Sequence, residues 1–389
     1  MFPSRFDYVA VTSVAEAVAA RHGCALEPEP FRPVLRGTLL TGDGAGFMRS
    51  EVAGGAGEGS EVSAQILWWP DGKMTGSVQH EGRLYAIRHL GGEMHAVVEL
   101  SDAKMPQEHA PMPARFRAND PNLRDDPLVN QGDASTLRPI TKDMPPGQRT
   151  QTNKKNQQLA LAAPKAKEAA IKPQKDKSAA PLNDVVIDVI VAYTKKAAGN
   201  YSDVKRELVD LAIEEANESF RQSGIAHVKV RLVHAYQTDY VEEGTHFDHV
   251  WRFADKGDGY MEEIHGLRDK YRADIAILVV DDPKGCGLAT RVRADADEAF
   301  AVVHYACAAA NYTLAHEIGH LIGASHELSY VNGTKWRDIM SSKESCGGCP
   351  RVPVWSNPTV LIKGEAAGTA ELDNARVIAE QAARVASFR

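Results

Sequence analysis

The sequence predicts an α/β sheet with helices packed on it in the C-terminal half, preceded by a small β-rich unit. Three observations carry this. From Asp184 onward, β-branched runs alternate with segments of helical periodicity. Over residues 36–100, apolar and polar residues alternate between turn dipeptides at Gly42-Asp43, Asp71-Gly72, Glu81-Gly82 and Gly91-Gly92. Between Phe116 and Tyr193 there is no aromatic residue, while Pro, Gln, Asn, Lys and Ala accumulate.

Taken in order, residues 8–20 (YVAVTSVAEAVAA) predict an amphipathic helix rather than a secretory signal, because Glu16 interrupts the apolar run and no basic cluster precedes it. SAQILWW, GSVQHEG, RLYAIRHL and HAVVEL predict a small antiparallel sheet in which no residues have catalytic spacing. The aromatic-free stretch cannot bury enough apolar area to offset its chain entropy. It predicts a disordered linker, open to proteases at Lys172, Lys175 and Lys177. DVVIDVIVAY then reads as a buried strand, 203–222 as a helix with Asp203 at its N-cap, and 227–236 as a second strand. Residues 259–271 read as a second helix, ADIAILVV as a third strand, and LDNARVIAEQAARVASF as a closing amphipathic helix.

Charge follows the same division. Residues 1–140 carry 13 basic and 18 acidic side chains, 141–180 carry 9 and 3, and 181–389 carry 23 and 31. A basic stretch between two acidic ones reads as a solvated connector, and the overall net charge of −7 argues against a dedicated nucleic-acid binder. With 43% hydrophobic residues, a mean hydropathy of −0.34 and no apolar run near the ~18 residues a membrane span needs, no transmembrane segment is expected.

The chemistry lies in NYTLAHEIGHLIGASH. Asn311 can cap a helix that stops at Gly323, and on it His316 and His320 stand four residues apart, so both imidazoles face one point. Gly323 can take positive φ and turn the chain so that His326 supplies a third nitrogen. Three neutral nitrogens with one open position predict a single catalytic Zn2+ rather than a structural one. Glu317, beside the first ligand, is placed to accept a proton from a bound water. His246 and His249 also sit one turn apart, but no acidic or sulfur partner has matching spacing. Glu344 is the other conceivable third ligand, with poorer spacing than His326.

HEIGHLIGASH, followed by DIMSS with Met340 fourteen residues after His326, resembles the metzincin zinc endopeptidases. The resemblance implies a metzincin catalytic domain, with a twisted mixed sheet and a long active-site helix, and Met340 in the turn beneath the zinc. IDVIVAYT, DGYMEEIHGLRDKYRADIAILVV, the pair Cys286 and Cys307, and CGGCPRVPVWSNP narrow it to the bacterial peptidyl-Asp metallopeptidases, over about residues 184–389. That family implies hydrolysis on the N-terminal side of aspartate, with His316, His320 and His326 as ligands and Glu317 as base. Astacin-like members carry a tyrosine two residues after the methionine; Ser342 stands there instead, so no tyrosine role is assigned.

A carboxylate-binding pocket needs a cation, and its wall should follow the methionine turn. Arg351 is the first candidate, with Arg337 and Lys343 behind it. Four cysteines fall in the last third of the chain and allow three disulfide connectivities; the sequence-local one joins Cys286 to Cys307 and Cys346 to Cys349. The CxxC has no second CxxC and no thioredoxin-like context, so redox chemistry is disfavoured.

GSVQHEGRLYAIRHLGGEMHAVVELSDAKMPQEH is similar to the propeptides of reprolysin-type metzincins. This implies a zymogen: a β-rich prodomain over 1–115 that inhibits its own enzyme, a basic linker with the activation cleavage over 116–182, and a zinc endopeptidase domain over 183–389. Cys24 is the candidate zinc latch, or else an incidental buried cysteine. Disulfides and a propeptide plan lead us to expect a secreted monomer acting on protein or peptide substrates. The alternative from another class is a zinc-stabilised, non-catalytic binding or toxin-like module.

Overall fold

The computed structural model describes residues 37–42, 45–50, 62–69, 71, 73–80, 83–91, 94–101, 105–108, 184–244 and 246–389. The helix expected over 8–20, Cys24, and the linker with Lys172, Lys175 and Lys177 lie outside the described residues.

Six strands form an antiparallel sheet in sequence order: β1 (Gly37–Gly42), β2 (Ala45–Ser50), β3 (Val62–Trp68), β4 (Met74–His80), β5 (Arg83–Gly91) and β6 (Met94–Leu100). The β1–β2, β3–β4, β4–β5 and β5–β6 hairpins turn where the sequence places its turn dipeptides. Strand alternation divides the side chains between two faces. Ala64, Ile66, Val78 and Ile87 close a small core belonging to this sheet. On the other face, Leu67 and Trp69 join the main core of the molecule, with Gln65, Thr75 and Ser77 buried beside them.

The main sheet begins with β7 (Val185–Thr194). Thr194 Oγ1 accepts the Ala197 amide at 3.1 Å and so caps a single helical turn, α1 (Lys195–Ala198). Asp203 Oδ1 accepts the Arg206 amide at 3.2 Å, as a capping residue should, but the helix opens with a π-helical stretch, Lys205–Asp210, before continuing as α2 (Leu211–Gln222). Then come β8 (Val228–Thr238), α3 (His246–Ala254), α4 (Glu263–Tyr271), β9 (Ile275–Val280), β10 (Gly287–Ala289) and β11 (Phe300–His304). The spatial order is β10-β11-β9-β7-β8, with β10 antiparallel at one edge and the other neighbours parallel. Parallel neighbours need a crossover, and α2 supplies the one between β7 and β8. β9 is buried at all six positions, as a strand covered on both faces must be.

The chain continues through α5 (Tyr305–Ala308), α6 (Thr313–Ile322), two short hairpins, β12 (Val331–Asn332) with β13 (Trp336–Arg337) and β14 (Asn357–Ile362) with β15 (Glu365–Ala367), and ends in α7 (Asn374–Val385). α7 is capped by Asp373, whose Oδ1 accepts the Arg376 amide at 2.9 Å. α6 lies against α2, β10 and β11. Gly319 makes that possible: a Cβ there would sit 2.4 Å from the ring of fully buried Trp355. Trp355 in turn stacks on Phe220 of α2 and donates its indole N–H to Ser219 Oγ at 2.9 Å.

Two sequence expectations are corrected. The second helix starts at Glu263 rather than at 259, because Gly259 and Met261 have φ of +84° and +45°. Asn311 does not cap α6. Tyr312 holds that position at φ +56°, while the Asn311 side chain turns toward Thr313 Oγ1 at 3.4 Å and its carbonyl accepts from Arg351.

Candidate active site

On α6, helical spacing puts His316 and His320 on one face, and Gly323 (φ +145°) ends the helix so that the chain returns with His326. His316 Nδ1 donates to the Ile339 carbonyl at 2.8 Å, and His320 Nδ1 donates to the Ala324 carbonyl at 2.9 Å. A carbonyl can only accept, so both Nδ1 atoms carry the proton and both Nε2 atoms present a lone pair. These converge on His326 Nε2, at 3.0 Å from His316 and 3.2 Å from His320. A tetrahedral ion with bonds of about 2.05 Å would hold its nitrogens about 3.3 Å apart, so this trio fits one ion of the zinc type. It is the one such group of ligand-type side chains among the described residues. Burial keeps the trio neutral, with neighbouring imidazoles adding to it at His316 and His320 and the Arg351 charge at His326; His320 is pushed down to about 3.

Met340 is fully buried in the main core and follows Ile339, whose carbonyl orients His316. The adjoining Asp338 is buried and accepts from the amides of Tyr330 and Ser341 and from Ser341 Oγ, which fixes this turn. Glu317 is buried against the edge strand, and the Ala289 amide donates to it. Burial first, with the nearby Glu108 charge adding to it, pushes its carboxyl well above the usual carboxylate range. Gly287 leaves the room for it: a Cβ there would lie 2.4 Å from Glu317 Oε1 and 2.6 Å from Thr313 Cγ2.

The two arginine candidates come together. Arg337 and Arg351 face each other across an isolated parallel bridge, with Arg337 N–H donating to the Pro350 carbonyl and Val352 N–H to the Arg337 carbonyl. Both guanidiniums are buried, and both donate to the Ser341 carbonyl, at 2.8 and 3.0 Å. Arg351 also donates to the Asn311 carbonyl and Arg337 to the Cys349 carbonyl. Two buried like charges at this spacing demand an anion. Glu108 provides it: its Oε1 lies 2.6 Å from Arg351 Nη2, 3.4 Å from Arg337 Nη1 and 3.4 Å from Asn311 Nδ2. Burial alone would raise the Glu108 carboxyl, but the two guanidiniums outweigh it and hold it below its ordinary value. Its charge reaches both Glu317 and His326.

Lys343 is half-buried at the start of the 3-10 turn Lys343–Cys346, and Glu344 is exposed on the same turn. Cys286 is bridged to Cys307 and Cys346 to Cys349. His249 is buried, with Tyr240 Oη 2.7 Å from its Nδ1 and Asp282 3.5 Å from its Nε2. Sequence reasoning overlooked Glu108 and Gly287 and gave Asn311 a capping role only. Nothing in the local pattern around Glu108 marks an acid that will meet two arginines more than 200 positions away.

Comparison with known proteins agrees with this geometry. The family described as "Metallo-peptidase family M12" matches residues 183–353. A curated relative, the peptidyl-Asp metalloendopeptidase of Xanthomonas campestris pv. campestris, is 31% identical over 344 residues, covering 84% of this chain and 70% of the relative. The peptidyl-Asp metalloendopeptidase of Stenotrophomonas maltophilia (strain R551-3) is 29% identical over 359 residues, covering 88% and 74%. That of Pseudomonas fragi is 27% identical over 189 residues, which span 45% of this chain and the whole of the relative.

Proposed function

The chain belongs to the metzincin-like peptidyl-Asp metallopeptidases and is a metalloendopeptidase; from that premise we propose that its metal is zinc, held by His316, His320 and His326, and that it cleaves on the N-terminal side of aspartate. The convergence of three neutral Nε2 atoms beside a buried carboxylate carries the reading. Zinc, when bound, would acidify a water and polarise the carbonyl to be attacked.

The remaining work falls to the chain's own side chains. Glu317 takes the proton of the attacking water on a carboxylate oxygen and delivers it to the departing amine nitrogen. The Ala289 amide and the space left by Gly287 fix that carboxylate. The Ile339 and Ala324 carbonyls hold the tautomers and ring planes of His316 and His320. Arg351 and Arg337 bind the side-chain carboxylate of the residue after the attacked bond, which fixes the register of the peptide.

In this reading the enzyme is made as a zymogen, with residues 1–115 as the prodomain and 116–182 as the linker that is cut. The face that the N-terminal sheet buries against the rest of the chain is rich in polar groups (Gln65, Thr75, Ser77), which suits a partner that must later leave. Export is consistent with the two disulfides. No helix among the described residues is long and apolar enough to cross a membrane.

Casein zymography with and without a chelator, on the wild-type chain and on Glu317→Ala, tests the mechanism. Clearing should disappear with the chelator and in the variant, while the variant keeps one bound zinc. Robust proteolysis by Glu317→Ala would overturn the assignment of the base.

A further inference from the structure

The described stretch that follows the N-terminal sheet, residues 105–108, meets Cys286, whose Sγ lies 3.3 Å from the Pro106 carbonyl, at the start of edge strand β10. Cys286, the residue before edge strand β10, donates its amide to the Gln107 carbonyl at 2.8 Å. This is the main-chain pairing that an extended peptide makes when it adds to an exposed sheet edge. One residue on, the Glu108 side chain enters the site and pairs with Arg351, Arg337 and Asn311. Main-chain pairing together with one buried side chain in a matching pocket is how a substrate is held.

We infer that residues 105–108 are a built-in competitive inhibitor in which Glu108 occupies the pocket for the substrate's acidic residue. The inference rests on the reading of Arg351 and Arg337 as that pocket. Inhibition is thus exerted through a carboxylate in the specificity site, with no requirement for Cys24 to reach the metal. The segment also resists cleavage for a reason visible in the geometry. Hydrolysis on the N-terminal side of Glu108 needs the Gln107 carbonyl turned toward the metal trio, and that carbonyl is committed to the Cys286 amide. Because the pocket selects an acid, the same two arginines that confer preference also hold the inhibitor, so the inhibitor and an acidic substrate exclude one another.

The test uses the zinc-loaded full chain carrying Glu317→Ala, so that nothing is cleaved, and a fluorescein-labelled peptide with a single aspartate as the probe in anisotropy titrations. Loss of a buried charged hydrogen bond predicts that Glu108→Gln tightens peptide binding by about tenfold or more. Adding Arg351→Ala should cancel the gain. Should Glu108→Gln melt well below the parent chain, Glu108→Ala is the second variant. It removes the carboxylate from Arg351 and Arg337 and leaves the space open, so a gain in the same direction is expected. Unchanged affinity in a folded Glu108 variant overturns the inference. The companion experiment restores Glu317: if the Glu108→Gln chain binds the peptide more tightly yet hydrolyses none of it, the endopeptidase reading fails while the inhibitor stands.

Discussion

Side-chain reach decides the chemistry at this site within fractions of an ångström, and glycine is the residue that regulates it. Gly287 has no side chain on the strand edge where Glu317 must lie, and a methyl group there would overlap both Glu317 Oε1 and Thr313 Cγ2. Thr313 is buried in the first turn of α6, where a β-branched side chain has few rotamers, so the longer carboxylate yields first. The expected outcome of Gly287→Ala is therefore a misplaced base with an intact metal trio. Displacement of a catalytic group by about 1 Å costs roughly 100-fold, so kcat should fall by about that factor while bound zinc stays at one per chain. Steady-state kinetics paired with metal analysis would check this. Loss of zinc along with activity would show instead that α6 itself had shifted.

At the scale of elements, the parts most legible in the sequence are those whose local pattern and tertiary role coincide. β9 reads as a buried strand because it is buried on both faces, and α6 reads as a candidate ligand-bearing helix because the four-residue spacing of His316 and His320 faces both imidazoles toward one point. Four of the N-terminal hairpins were legible for a similar reason, since turn chemistry is local. What escaped depends on distant partners. Glu215 and Glu218 of α2 are of a type that belongs at a surface, yet both are buried. Thr75 Oγ1 of β4 donates to the Glu207 carbonyl just before the helix, and Ser77 donates to Glu215. Asn311 looked like a cap because it precedes a helix, but its side chain donates toward Glu108 and Thr313 and its carbonyl accepts from Arg351. Gly319 sits in a metal-binding motif where no ligand role calls for a glycine, and its reason is Trp355. Gly319→Ala would force the indole off its stack with Phe220, and overpacking of this kind costs about 1–3 kcal/mol. A lowered urea midpoint with an unchanged m-value is the expected result, and an unchanged midpoint would show that Trp355 yields freely.

Across the whole molecule, the N-terminal sheet and residues 184–389 form one compact unit, and the contact between them contains a titratable group under load. Glu215 of α2 is fully buried beneath Ser77 of β4, and desolvation pushes its pKa up to about 8, with the Ser77 hydroxyl as its opposing partner. An acid whose folded pKa is raised binds its proton more tightly in the folded state. Its burial is therefore free of charge cost below about pH 4.5, the ordinary value, and becomes destabilising as pH rises through about 8. In that window the folded state loses about 1.4 kcal/mol per pH unit relative to a chain with a neutral side chain at this position. Glu215→Gln, which keeps the shape and an acceptor for Ser77, should thus match the parent near pH 4.5 and exceed it progressively up to pH 8. Other groups titrate over the same range, Asp338 among them at about 6, so the difference between the two chains is the quantity to read. Urea unfolding of zinc-loaded Glu317→Ala chains, with and without Glu215→Gln, at half-unit pH steps would measure it. If the N-terminal sheet leaves as a unit, the lower-denaturant transition should carry the whole pH dependence, because only undocking lets water reach Glu215 without unfolding the main sheet. A pH-dependent difference confined to the later transition would mean that Glu215 is kept dry by the main sheet and α6, and that the sheet can depart without rehydrating it.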